Sequence, residues 1–76
     1  MTHINTHYLD AYSEWSVAVI NAKSWYDVAK THAKAVRTTN LMEEWVDVGK
    51  LNPCTALEYT LEMEEIIINK SKIFLN

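Results

Sequence analysis

Glycine, proline and cysteine each occur once in this 76-residue chain, and each scarcity closes off a class of protein. A single cysteine, Cys54, excludes an intramolecular disulfide and any multi-cysteine zinc site, so a reducing compartment is the simplest home. One glycine, Gly49, leaves no room for a P-loop, a dinucleotide-binding G-x-G-x-x-G or a nucleophile elbow. One glycine and one proline also argue against an all-β sandwich, which needs a turn signal about every 8–12 residues. Long hydrophobic runs are missing too. Val17–Ile20 and Ile66–Ile68 are the longest wholly apolar stretches, far short of the ~20 residues of a membrane span. The start, Met1-Thr2-His3-Ile4-Asn5, has no basic segment leading into an apolar run, so no secretory signal is expected. The expectation is a cytoplasmic protein with no membrane partner.

What is present points to helices. Hydrophobic residues make up 49% of the chain and charged residues 22%, which excludes a disordered tail. Residues 1–48 contain neither glycine nor proline. Within them Tyr8, Tyr12, Trp15, Val19, Ala22, Tyr26, Ala29, Ala33 and Val36 alternate at spacings of four and three, a coiled-coil-like seam. Leu9, Val17, Ala18, Ile20, Trp25 and Val28 widen it as a bundle helix requires. Ser13 and Ser16 could cap a break, so residues 5–37 read as one helix or as two. Thr38-Thr39-Asn40 reads as a loop, with Asn40 capping a short helix Leu41–Val48 that turns Trp45 and Val48 inward and stops at Gly49. Asn52 and Pro53 then read as the N-cap and first position of a last helix, or Pro53 as a kink in a longer one. Leu57, Leu61 and Ile68, flanked by Ala56, Met63 and Ile67, form the expected inward stripe, and the helix runs to about residue 70. The β-branched segment after Ile66 allows a hairpin turning at Asn69–Lys72; helix with a hydrophobic tail is preferred, because an isolated hairpin is marginal. The fold class is therefore all-α, a single domain over residues 1–76 forming a small bundle of three or four helices with a long N-terminal helix or helix pair.

Size adds an expectation of self-association. A chain this short buries only about 60% of its unfolded surface, and without disulfides or an evident metal site, oligomerisation is the remaining common support. Three tryptophans, four tyrosines and one phenylalanine exceed what one small core needs. Tyr12, Trp15 and Tyr26 read as core, whereas Tyr8 stands at the frayed start of the seam.

Charge is segregated. Seven basic and ten acidic residues leave a net charge of −3, yet Lys23, Lys30, Lys34 and Arg37 outweigh Asp27 in residues 23–37, with His32 among them. Glu43, Glu44, Asp47, Glu58, Glu62, Glu64 and Glu65 outweigh Lys50 in residues 43–65. The plain reading is two antiparallel helices whose opposite charges face each other. The functional readings are an anion site on the basic stretch, or an acidic face that mimics a nucleic-acid backbone or docks on a host protein. Net charge disfavours binding to duplex nucleic acid. His3 and His7, four apart, could ligate a metal with Asp10 or Glu14, although solvated terminal histidines are the simpler reading. Cys54 lies near a helix start but lacks a local base. Glu58 with Glu62, and Glu44 with Asp47, share helix faces as solvated surface does. No cofactor and no catalysis are expected. A stacking ring at Tyr8 and a cation elsewhere form the minimal kit for gripping a nucleotide.

Tyr8 and Lys23 stand fifteen residues apart, Lys23 within Ile20-Asn21-Ala22-Lys23, and Trp45-Val46-Asp47-Val48-Gly49-Lys50 is an aromatic–aliphatic–Gly–basic stretch. In these features, over about half the chain, the sequence resembles the phage anti-CBASS proteins that sponge cyclic nucleotides. The resemblance implies a small helical homo-oligomer in the host cytoplasm, Tyr8 stacking on a base of a cyclic dinucleotide and Lys23 meeting its phosphate, with Lys30 or Lys34 adding charge. The chain departs from the family pattern at Leu51-Asn52-Pro53, where the family carries a threonine, so a second site for larger cyclic oligonucleotides is not implied. On one straight helix Tyr8 and Lys23 would lie roughly 22 Å apart. The helix must break near Ser13, or the two residues must come from different protomers.

Overall fold

The computed structural model describes residues 6–75, and every regular element among them is helical. In chain order these are α1 (Tyr8–Ile20), α2 (Trp25–Lys30), α3 (His32–Asp47) and α4 (Pro53–Leu75). Only Thr31 separates α2 from α3, and its φ of −71° and ψ of −11° keep the backbone right-handed. The pair therefore acts as one rod, and the molecule is a bundle of three rods measuring 42 × 23 × 15 Å. No helix of the described chain is long and apolar enough to cross a membrane.

The N-terminal half is two helices, but the break falls later than Ser13 or Ser16. Asn21 closes α1, and Ser24 opens α2 by accepting the Asp27 N–H at 3.1 Å. Asp27 reaches back to accept the Lys23 N–H, also at 3.1 Å. This reciprocal exchange satisfies donors that a new helix leaves without partners, as a capping box does. The break ends the heptad seam. Trp15, Val19 and Ala22 are buried as the periodicity requires, and Ala11, outside the expected seam, is buried too, but between the turn and Arg37 the buried residues are Val28 and Thr31. Tyr26, expected in the core, is 66% exposed, and Ala29, Ala33 and Val36 also face out.

Thr38-Thr39-Asn40 is not a loop. These residues lie inside α3, and Thr38 is completely buried. Its hydroxyl donates to the Lys34 carbonyl at 2.7 Å, so the polar group that favours caps is satisfied one turn back along the helix. The stop at Gly49 is where the sequence places it. Gly49 adopts φ +77°, its N–H donates to the Val46 carbonyl at 2.9 Å, and the Lys50 N–H donates to the Trp45 carbonyl at 2.9 Å. That bond pair is a Schellman motif, which needs a residue at ease in the left-handed region. Val48 is exposed rather than inward, and Leu51 returns to the core in its place. Asn52 then caps α4 through a 2.7 Å bond from the Cys54 N–H, with Pro53 as the first helical residue. The hairpin alternative is excluded, since α4 continues to Leu75.

The core is Trp15, Val19, Met42, Leu51 and Met63, with Tyr8, Tyr12, Trp45, Tyr59 and Ile67 among the residues packed around it. It draws on α1, α3 and α4 together. The stripe expected to face inward on α4 does not: Leu57, Leu61 and Ile68 are 58%, 54% and 54% exposed. Ala56, Tyr59, Met63, Ile66 and Ile67 take that role, roughly two-fifths of a turn away around the helix. Trp15 shows no surface to solvent, and its indole Nε1 and that of Trp45 are buried without a hydrogen-bond partner. Such an orphaned donor costs about 1–3 kcal/mol, which the burial of the ring must exceed.

Truncation of this residue tests the assignment. Trp15→Ala is expected to lower stability by ~3–5 kcal/mol in urea denaturation, the cost of a void where a large side chain stood. Gly49→Ala strains a left-handed backbone position and is expected to cost about 1 kcal/mol in the same assay.

Candidate functional site

The turn at Asn21–Ser24 builds the candidate site. By folding α2 back against the end of α1, it brings Ala18, Asn21 and Ala22 opposite Asp27, Lys30, Thr31 and Lys34 around an open cavity of about 250 Å³. On the α2–α3 rod those last four residues recur at helical spacing and so share one face. Lys30 Nζ stands 3.6 Å from Asp27 Oδ1 and 5.1 Å from the centre of the Tyr26 ring. Lys34 has no carboxylate within ion-pair distance among the described residues. Lys23 is exposed in the turn, fixed through its backbone by Asp27. Lys30, Lys34, Asn21 and Asp27 thus line one cavity at one end of the bundle, with Lys23 in the turn beside it. That arrangement suits an anion with several acceptor oxygens, such as a phosphodiester.

Tyr8 is elsewhere. It opens α1, whereas the cavity lies at the far end of that helix, roughly 15–20 Å along the axis. Its half-buried ring packs against His7 at 4.5 Å between centroids, edge-on to Trp45 at 5.5 Å and edge-on to Tyr59 at 6.2 Å. Lys50 lies 5.9 Å above the Trp45 ring. The structure therefore brings Lys30 and Lys34 together with Lys23 beside them, and does not bring Tyr8 to them within one chain. Tyr59 was not singled out by spacing: it belongs to the inward face of α4, which the leucine stripe masks in the sequence.

The remaining candidates resolve separately. His7 Nδ1 accepts the Leu9 N–H at 3.1 Å as the N-cap of α1, and its ring packs at a 50° tilt 4.4 Å from Trp45. His3 lies outside the described residues, and among those residues no three metal-ligating side chains cluster. Glu58 and Glu62 line a cavity of about 260 Å³ with Thr55 and Tyr59. Cys54 is exposed. The expected facing of the basic and acidic segments is not seen. Arg37 pairs with Glu14 of α1 at 3.0 Å and Lys30 with Asp27, so neither ion pair joins residues 23–37 to residues 43–65. The physical reason is the direction of the side chains: Lys30 and Lys34 line the α1 side of the rod, whereas Glu62 of α4 lies beside Tyr12 and Glu64 borders a different cavity.

Tyr12 carries a perturbed phenol. Burial beside Trp15 and Tyr59 raises its pKa above the ordinary 10.0, and the nearby Glu62 carboxylate raises it further. Below pH ~10 the phenol is protonated in both folded and unfolded chains, and its contribution to stability is fully present. As pH rises past that value the unfolded chain ionises first, and the contribution is lost as pH climbs through the folded value. Urea denaturation at pH 9 and pH 11 is therefore expected to show a smaller alkaline loss of stability in Tyr12→Phe than in the wild-type chain. No protein-family model, curated protein or solved structure matches this chain.

Proposed function

We propose that the chain is a non-catalytic binding protein that sequesters a cyclic nucleotide, the phosphates held at the lysine cavity and a base stacked on an aromatic ring. The observation that carries this reading is the pairing of Lys30 and Lys34 on one cavity, with Lys23 in the adjoining turn, in a protein whose net charge is −3. A positive pocket in an otherwise negative surface attracts a compact dianion while repelling long polyanions. The resemblance to cyclic-nucleotide sponges, carried by Tyr8 and Lys23, supplies the ligand class.

The distance between Tyr8 and the cavity supports a site shared between chains. A cyclic dinucleotide held by the lysines of one chain meets Tyr8 of another, so the binding unit is a homo-oligomer. Sequestration then works by mass action, because the protein must outnumber the messenger and bind it more tightly than the receptor does. A host-protein inhibitor is the second reading, favoured by Trp25 and Tyr26, adjacent aromatics that are 51% and 66% exposed, as interface anchors are before binding. A stoichiometric host partner that persists in Tyr8→Ala and Lys23→Ala, but not in Glu58→Ala/Glu62→Ala, would favour it.

Isothermal titration calorimetry with cyclic di- and trinucleotides tests the first reading. Binding at micromolar protein or tighter is expected, weakened at least ~10-fold by Lys23→Ala, Lys30→Ala or Lys34→Ala and by Tyr8→Ala, while circular dichroism shows unchanged helicity. An absence of heat with every ligand, or affinity unchanged in Tyr8→Ala and Lys23→Ala, overturns it.

A further inference from the structure

On the side of the bundle away from the lysine cavity, α4 borders an apolar groove. Two adjoining cavities of about 390 and 320 Å³ lie between the α2–α3 rod and α4, and His32 and Ile67 line both. Trp25 is at one end of this groove and Val36 is on its wall, 51% and 42% exposed. Next to the groove-lining Thr60, Glu64 and Ser71 in helical phase, α4 carries the stripe that the core leaves uncovered. Leu61, Ile68 and Leu75 repeat at exact heptad spacing, with Leu57 four residues before the first, and all four are 54–66% exposed. A heptad of exposed leucine and isoleucine is what a helix presents to another helix. The groove and the stripe lie side by side on one face, so two copies related by a twofold axis cover both features at once.

We infer that this face pairs two copies of the chain, α4 packing antiparallel on α4 with the twofold axis near Glu65. Charge chooses the direction. The first half of α4 carries Glu58, Glu62, Glu64 and Glu65, and the second half carries Lys70 and Lys72. Parallel pairing stacks the four carboxylates on four more. Antiparallel pairing sets Leu57 over Leu75 of the second copy, interleaves Leu61 with Ile68, and aligns exposed Glu58 with exposed Lys72 twice. Area is sufficient. Trp25, Val36, Leu57, Leu61, Ile68 and Leu75 together expose on the order of 600 Å², so full coverage in two copies removes ~1,200 Å², the lower edge of the range of specific interfaces. The pairing needs no nucleotide and leaves the lysine cavity and Tyr8 open.

Analytical ultracentrifugation of the full chain without nucleotide, over a concentration series, tests the inference apart from ligand binding. A dimer is expected, at least ~10-fold weaker in Leu61→Glu and in Ile68→Glu, whose positions are exposed and leave the helical circular dichroism unchanged. Lys72→Glu weakens the dimer, and adding Glu58→Lys restores it. Orientation has its own readout. In the antiparallel pair the two Cys54 thiols lie roughly 33 Å apart and do not cross-link on oxidation, whereas Glu65→Cys in a Cys54→Ala background forms a covalent dimer near the axis. A wild-type chain monomeric at ~100 μM overturns the inference. So do a dimer indifferent to Leu61→Glu, a Cys54 cross-link of the native chain, and a monomer whose groove instead takes up the apolar dye anilinonaphthalene sulfonate.

Discussion

The burial of Trp15 is the constraint on which the rest of the structure depends. Its ring is wholly removed from water, and the residues that cover it come from all three rods: Val19 beside it on α1, Met42 on α3 and Met63 on α4. A chain of this size has room for one such cluster. Once the indole is enclosed, α1 must lie along α3, and α4 must turn its Met63 side inward. The indole N–H is given up in the process, so packing around the ring outweighs a hydrogen bond.

Two turns make that enclosure possible, and they work by different chemistry. Between α1 and α2, Ser24 and Asp27 trade hydrogen bonds with the backbone and redirect the chain without any glycine. Between α3 and α4, Gly49 supplies the left-handed conformation, Leu51 drops back into the core, and Asn52 with Pro53 starts the next helix. The first turn also creates the lysine cavity, because it folds the basic face of α2 and α3 against the end of α1. The site is thus a by-product of how the chain reverses, and its cations come from residues that tertiary packing leaves on the surface.

Legibility in the sequence follows from how local each signal is. Gly49, Asn52 and Pro53 act within one turn of backbone, and the structure uses them as the local rules require. The reading of Thr38 and Thr39 as a loop fails for an instructive reason: their hydroxyls donate to the carbonyls of Lys34 and Val36, and core packing holds Thr38 in a helix that its propensity only weakly favours. Tyr26 and Ala33 continue a perfect heptad pattern yet are exposed, since the turn at Asn21–Ser24 resets the helical phase. Lys30 and Lys34 were legible as cations of one helix face. Their neighbour across the cavity, Asn21, was not, because it meets them only after the chain folds back.

What the sequence by itself determined is the all-helical class, the terminators at Gly49 and Asn52-Pro53, and the burial of Trp15, Val19 and Ala22. All of these follow from spacing and backbone chemistry within a few residues. The tertiary structure alone decided which of two apolar stripes on α4 faces inward. Ala56, Tyr59, Met63 and Ile67 lie along one line, and Leu57, Leu61, Ile68 and Leu75 along another, and periodicity cannot rank them. The choice goes to the stripe whose aromatic Tyr59 meets Tyr8 and Tyr12 and whose Met63 closes over the core. It also decided that Tyr8 and the lysines stand at opposite ends of α1, because a continuous helix of thirteen residues is a fixed spacer. Burial is a property of neighbours, and neighbours exist only once the chain has folded.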